Sequence, residues 1–340
     1  MGAFTNYILI FLLTLLGTYI FNTEELENPK FQYAVSHVHD SSCNRKVALG
    51  DFGQFPVVFL SSFPGSGNTW ARQVLEDTTG FYTGSVYYEM EMTRNGLKGE
   101  MEHTRSGRTI AVKNHGQKEY ESAEGIIMVL RNPYDATLAD YKRQMSGSHT
   151  GNLEKKDFEN EIWRKFIDQH MHRWFGSAVW FPMFAEKAKI PMLIIYYEDM
   201  KENLVKEMRK VVDWYREHFK IPLDDAEHRL DCLLKQEVKF HRKKTDLGDI
   251  WPADKIPGLD KGIREMQAFY EHHQLPEMPD SYLKDPEKSK KLPSEHLQMT
   301  VVTSHAIKKV DETVKKRELF MKNGQQYVFT TADQFRVKAD

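Results

Sequence analysis

Three short stretches of this chain carry residues able to bind an anion and move a proton. The first, residues 61–70, reads Ser-Ser-Phe-Pro-Gly-Ser-Gly-Asn-Thr-Trp. Gly65 and Gly67 let a backbone turn tightly and approach a ligand with no Cβ in the way. Ser66 and Thr69 add hydroxyl donors. The second is Lys113-Asn114-His115-Gly116, a cation and a titratable imidazole two residues apart. In an extended chain that spacing turns both to one side, toward one anionic substrate. The third is Arg131-Asn132-Pro133-Tyr134-Asp135, with the arginine just ahead of a proline suited to opening a helix. There it can grip a phosphate with two N–H groups or pair with Asp135.

The intervening segments say what holds these residues. Residues 56–60 are an apolar run and residues 71–79 are amphipathic, so the first stretch is a turn from strand to helix. The free N–H groups and dipole of such a helix start favour an anion. The Gly-Lys-Ser/Thr triplet of nucleoside-triphosphate loops is missing after the second glycine. Residues 108–112 read as a short strand delivering Lys113 and His115. Residues 125–130 (GIIMVL) form a continuous apolar run, as in a strand buried on both faces. Helical spacing follows through Met145. Residues 191–197 give a fourth strand, and Glu198 and Asp199 after it brace the loop into a helix reaching Phe219. Strands alternating with helices imply an α/β fold, a parallel sheet flanked by helices. Ligands of such sheets sit at the carboxyl ends of the strands, where every polar cluster named above falls.

In their order and spacing these motifs resemble the sulfotransferase family over roughly residues 55–250. FPGSGNTW is similar to the loop that holds the 5′-phosphosulfate of 3′-phosphoadenosine 5′-phosphosulfate (PAPS), VKNHG to the strand end with the catalytic histidine, and VLRNPYDATLADY to the 3′-phosphate segment. IIYYEDMKENLVKEMRKVVDWY matches a further strand–helix segment, and Phe240-His241-Arg242-Lys243-Lys244 a basic loop over the 3′-phosphate. The resemblance implies a P-loop-like three-layer fold, PAPS as co-substrate and no metal. It casts His115 as general base, with Lys113 near the sulfuryl oxygens. Gly65, Ser66, Gly67, Asn68 and Thr69 would surround the 5′-phosphate, with Trp70 beside the adenine. Arg131 and Arg242 would hold the 3′-phosphate, Lys243 assisting. The acceptor implied is a hydroxyl, on a carbohydrate.

Two positions depart from the family pattern. Gly65 stands where cytosolic members have a lysine, which leaves the loop N–H groups, Lys113 or Arg72 to take over its charge. Ala139 stands where a serine usually contacts the 3′-phosphate, with Thr137 and Arg143 as substitutes. The PGSGNTW form resembles membrane-bound members of the sialate-sulfating type more than cytosolic ones. Two other readings stay open: a catalytically impaired, sulfotransferase-like nucleotide-binding protein, and a P-loop kinase. The second lacks both the loop lysine and a carboxylate set for Mg²⁺.

Over 340 residues the formal charge is only −2, which excludes a global basic field for nucleic acid. Residues 4–21 are nearly all apolar, long enough to just span a bilayer, and Glu24, Glu25 and Glu27 follow. An uncleaved N-terminal transmembrane helix fits, as a single-pass type II signal-anchor in the Golgi membrane; a cleaved signal peptide and secretion is the alternative. The expected organisation is an anchor over residues 1–22, a luminal stem over 23–54, the catalytic domain over 55–300 and a helix and tail over 301–340. His37, His39, Asp40 and Cys43 hint at a metal, but with no second ligand pair nearby they read as linker residues. Cys43 and Cys232, the only cysteines, could pair in an oxidising lumen. Trp163, Phe166, His170, Trp174, Phe175, Trp180 and Phe184 recur at helical intervals, a core stripe or part of an acceptor pocket.

Overall fold

The computed structural model describes residue 43 and residues 46–146, 153–235, 248–292 and 301–323. The apolar run at 4–21, the histidines at 37 and 39, and the basic loop with Arg242 and Lys243 lie outside the described residues.

Five strands, β1 (Val58–Ser62), β2 (Gly84–Ser85), β3 (Val112–Asn114), β4 (Gly125–Leu130) and β5 (Met192–Tyr196), form one sheet in the order β2-β3-β1-β4-β5. Every pairing is parallel. The helices between and after them are α1 (Asn68–Thr79), α2 (Met90–Arg94), α3 (Pro133–Ser146), α4 (Glu161–Ala188), α5 (Tyr197–Glu202), α6 (Leu204–Phe219), α7 (Ala226–Lys235), α8 (Ile256–His272) and α9 (Val301–Asn323).

Strand alternation sorts these helices into two layers. From β4, Ile126, Met128 and Leu130 enter one core, shared with Ala136 and Tyr141 of α3, Trp163 and Trp174 of α4, Ile263 of α8 and Val310 of α9. Ile127 and Val129 face the opposite core, filled by Val74 and Leu75 of α1, Val211 and Tyr215 of α6 and Leu230 of α7. The result is helix, sheet, helix. Trp163, Phe166, His170, Trp174, Trp180 and Phe184 of the aromatic stripe are all buried in the first core.

Several boundaries differ from the sequence expectation. β1 starts at Val58 because Pro56 has no N–H for a ladder and Val57 gives its own to Glu124 Oε2 at 2.7 Å. Ile110 N–H goes to Tyr82 O, and the strand paired to β1 begins only at Val112. Two residues, β2, make a fifth strand too short to show any period. The helix expected from 198 to 219 breaks at Asn203, whose backbone leaves helical values (φ −144°, ψ 76°) and whose side chain accepts the Lys206 N–H to cap α6.

Residues 46–54 lie along the domain: Ala48 N–H bonds Gly80 O, Gly50 N–H bonds Arg108 O, and Gly53 N–H bonds Ser106 O. Cys43 and Cys232 form a disulfide across 189 residues, which fastens this segment to α7.

Candidate active site

The loop from Phe63 to Gly67 leaves the carboxyl end of β1, and both of its glycines adopt positive φ, 82° at Gly65 and 86° at Gly67. Each is packed against something. A Cβ on Gly65 would stand 2.2 Å from Ala136 O of α3, and one on Gly67 would stand 2.5 Å from the Tyr197 ring. The first helical bond of α1 is Ala71 N–H to Gly67 O, so the amides of Gly67, Asn68 and Thr69 precede the ladder and are left to donate to an anion. Ser66 Oγ is buried and meets no hydrogen-bond partner among the described residues. A buried hydroxyl left unpaired costs roughly 1–3 kcal/mol, and a phosphate oxygen in the loop would pair it.

Asn68 spends its side-chain N–H groups on Leu60 O and Ser62 Oγ, both at 3.1 Å. Only its main-chain amide is left for an anion. Through Ser62 it nevertheless ties the loop to His115. His115 Nδ1 lies 3.0 Å from Ser62 O and 3.1 Å from Ser62 Oγ. A carbonyl can only accept, so Nδ1 carries the hydrogen and the neutral ring keeps its lone pair on Nε2. Burial and the adjacent Lys113 charge push the His115 pKa down to about 3, against the opposing pull of Ser62 and Asp140. The imidazole is therefore neutral at physiological pH, with its Nε2 lone pair free to accept a hydrogen bond.

Lys113 lies in β3 and is almost wholly buried. Its Nζ is 3.8 Å from Glu89 Oε2 and 5.4 Å from the centre of the Tyr87 ring. Burial lowers its pKa, and Glu89 works against the shift. Tyr87 also accepts the His115 backbone N–H at 2.9 Å, so one phenol contacts both members of the pair.

Arg131 follows β4. Its Nη1 donates to Gly65 O at 2.8 Å and its guanidinium lies 4.4 Å over the Tyr197 ring. Asp135 is 3.9 Å from Nη2 and more than half exposed, a weak pairing. Nε of Arg131 is buried without a partner among the described residues. Trp174 Nε1 donates to Arg131 O at 3.1 Å, and Glu198 receives Asn132 N–H and Tyr282 Oη–H. Those contacts fix the strand end, and Glu198 is spent on bracing. Trp70 meets Tyr197 edge-on at 5.4 Å, which places Gly67, Trp70 and Arg131 around one ring.

Gly65, Ser66, Gly67, Asn68, Thr69, Trp70, Lys113, His115 and Arg131 thus gather at the carboxyl ends of β1, β3 and β4. Two residues offered as substitutes are not available. Arg72 is fully buried, paired with Glu100 Oε2 at 2.5 Å and bonded to Thr83 Oγ1 and O. Thr137 is buried too, its hydroxyl 3.5 Å from Met171 Sδ. Tyr87, Glu89, Ser62 and Tyr197 were not singled out from the sequence. Tyr87 follows a two-residue strand that carries no pattern, while Tyr197 closes a legible apolar run. Among the described residues no group of three or more His, Cys, Asp or Glu side chains is placed to hold a metal ion. No helix among them is long and apolar enough to cross a membrane.

Residues 55–246 match the family model described as "Sulfotransferase domain". A WSCD family member of Drosophila melanogaster is 29% identical over 191 residues, 54% of this chain and 56% of that protein. One from Drosophila pseudoobscura pseudoobscura is 30% identical over 191 residues, 54% of this chain and 57% of its own. One from Aedes aegypti is 29% identical over 215 residues, 62% and 63% of the two chains. The chain therefore spans little more than half the length of the curated relatives it matches.

Proposed function

This chain belongs to the sulfotransferase domain family, and from that premise we propose that it moves a sulfuryl group from PAPS to a hydroxyl of a carbohydrate acceptor. The observation that carries the proposal is the tautomer of His115, held by Ser62 O with Nε2 unclaimed among the described residues and Lys113 beside it. A protein that only binds a nucleotide has no need of an oriented base.

The residues present fit the donor. Ser66 Oγ and Arg131 Nε are buried polar atoms without partners among the described residues, in a cradle where neither glycine has room for a Cβ. PAPS, when bound, supplies the sulfuryl group already activated as a phosphosulfate. The amides of Gly67, Asn68 and Thr69 and the Ser66 hydroxyl hold the 5′-phosphate. Arg131 holds the 3′-phosphate, with Arg242 and Lys243 assigned to the same group, and Trp70 lies toward the adenine. Nε2 of His115 takes the acceptor proton while the Lys113 ammonium faces the charge gathering on sulfuryl oxygens.

The Cys43–Cys232 disulfide supports an oxidising compartment. With residues 4–21 as a signal-anchor it fits a type II protein whose catalytic domain faces the Golgi lumen. Carbonate extraction of membranes tests the anchor; release into the soluble fraction would argue for a cleaved signal.

The reaction is tested by titrating the folded protein with 3′-phosphoadenosine 5′-phosphate (PAP), then assaying PAPS turnover on a panel of glycans. His115→Ala should cut turnover by roughly 10²-fold or more with PAP affinity retained. No PAP binding by wild type, or unchanged turnover by the variant, refutes the corresponding part.

A further inference from the structure

We propose that Arg143, reaching from α3, supplies at the transferring sulfuryl group the cation that the loop lacks at Gly65; this rests on the PAPS reading above. The loop and α3 are in contact at that glycine. Ala136 O and the Asp140 amide N are 2.2 Å and 3.1 Å from where a Gly65 Cβ would stand. A side chain leaving the loop there has no room, and the space belongs to the helix that carries Arg143.

Arg143 is held, not merely present. Its Nε and Nη2 both bond Asp140 Oδ1, at 3.1 Å and 2.6 Å. Asp140 is fully buried, and its Oδ2 lies 3.2 Å from His170 Nε2 and 2.9 Å from Gln144 Nε2. His170 is fixed in turn by Phe166: Nδ1 is 3.1 Å from the carbonyl and the rings stack at 3.5 Å. Burial alone would raise the Asp140 pKa, but the His170 and Arg143 hydrogen bonds outweigh it and the carboxylate stays charged. The guanidinium it orients is 42% exposed, and its Nη1 meets no partner among the described residues. Its charge also reaches the catalytic pair, since it lowers the pKa of both Lys113 and His115. A buried carboxylate whose own amide lies against the loop at Gly65, and which is committed to holding a half-open arginine there, is the arrangement of an anion clamp.

In the transfer, the sulfur–oxygen bond to the 5′-phosphate breaks as the acceptor oxygen bonds to sulfur. The acceptor proton passes to His115 Nε2, and the electron pair stays on the leaving phosphate. Arg143 donates hydrogen bonds to the sulfuryl oxygens during that exchange. It makes no contact with the product nucleotide, which has lost them.

That distinction gives a test needing no acceptor. Calorimetry should find Arg143→Met binding PAPS about tenfold more weakly than wild type, with PAP affinity within about twofold. Arg143→Lys keeps a counter-ion for Asp140 but loses the fork, so it should fall between the two for PAPS and match wild type for PAP. It also serves if the methionine variant melts early. Unchanged PAPS affinity in both variants, or equal losses for PAPS and PAP, overturns the proposal and leaves Arg143 as a partner of Asp140 alone. Wild type that binds neither nucleotide defeats the underlying PAPS reading instead.

Discussion

Restoring the lysine at Gly65 should harm this protein. The simplest view of Gly65→Lys is that it returns a lost catalytic cation, which predicts tighter donor binding. The local geometry predicts the reverse. Gly65 has φ 82°, where a Cβ costs roughly 1–2 kcal/mol. That Cβ would stand 2.2 Å from Ala136 O, far inside the 3.0 Å limit for real Cβ contacts, and the obstacle is helix backbone. Relief requires the loop or α3 to move by most of an ångström, an overpacking cost of about 1–3 kcal/mol. The sum is about 2–5 kcal/mol, or a fall in Tm of roughly 5–15 °C for a domain of this size. PAP affinity should fall as well, because the displaced loop carries the Ser66 hydroxyl and the Arg131–Gly65 contact. Gly65→Ala carries the same Cβ without the amine and should lose nearly as much. Thermal melting and PAP calorimetry on both variants decide the matter. A lysine variant that melts with wild type and binds PAPS more tightly would refute the steric account.

Three further outcomes follow from the site. Arg131→Ala should weaken PAP by about 1.5–3 kcal/mol, the value of a charge-assisted contact, while leaving adenosine 5′-phosphate untouched; equal losses for both nucleotides would remove Arg131 from the 3′-phosphate. The folded pKa of His115, about 3, lies below the ordinary histidine value of 6.5, so between those values the unfolded chain binds a proton that the native state refuses. Stability held above pH 6.5 is therefore lost as pH falls toward 3, and His115→Asn should flatten denaturant-measured stability over that window. Parallel curves would contradict the assigned burial. Reducing the Cys43–Cys232 disulfide, which closes a 189-residue separation, should cost roughly 2–5 kcal/mol, seen as a lower Tm with reductant that Cys232→Ser reproduces and reductant no longer changes.

Much of this site is local in the chain, and that part was legible. Two glycines with a serine between them, set after an apolar run, specify a turn whose conformation only they adopt. The unbroken run at 125–130 specifies a doubly buried strand whatever packs on it, and Arg131 must then fall at its end. What stayed hidden depends on partners far along the chain. Arg72 is claimed by a carboxylate 28 residues away and the His115 amide by a phenol equally distant. No spacing rule announces either contact, and β2, which sets Tyr87 in place, is too short for a period.

Gly65 shows why the two kinds of information fail differently. Read from the sequence it is a gap, a position where the cytosolic sulfotransferases it resembles bring an ammonium group and this chain brings nothing, so a compensating cation is sought along the same helix at Arg72. In three dimensions it is a contact, because the absent side chain is what lets α3 close on the loop until Ala136 O touches it. The helix that fills the space also carries Asp140 and Arg143, so the missing charge and its proposed replacement share one cause. A compensating group should then be sought on the element that occupies the vacated volume, whatever its distance along the chain.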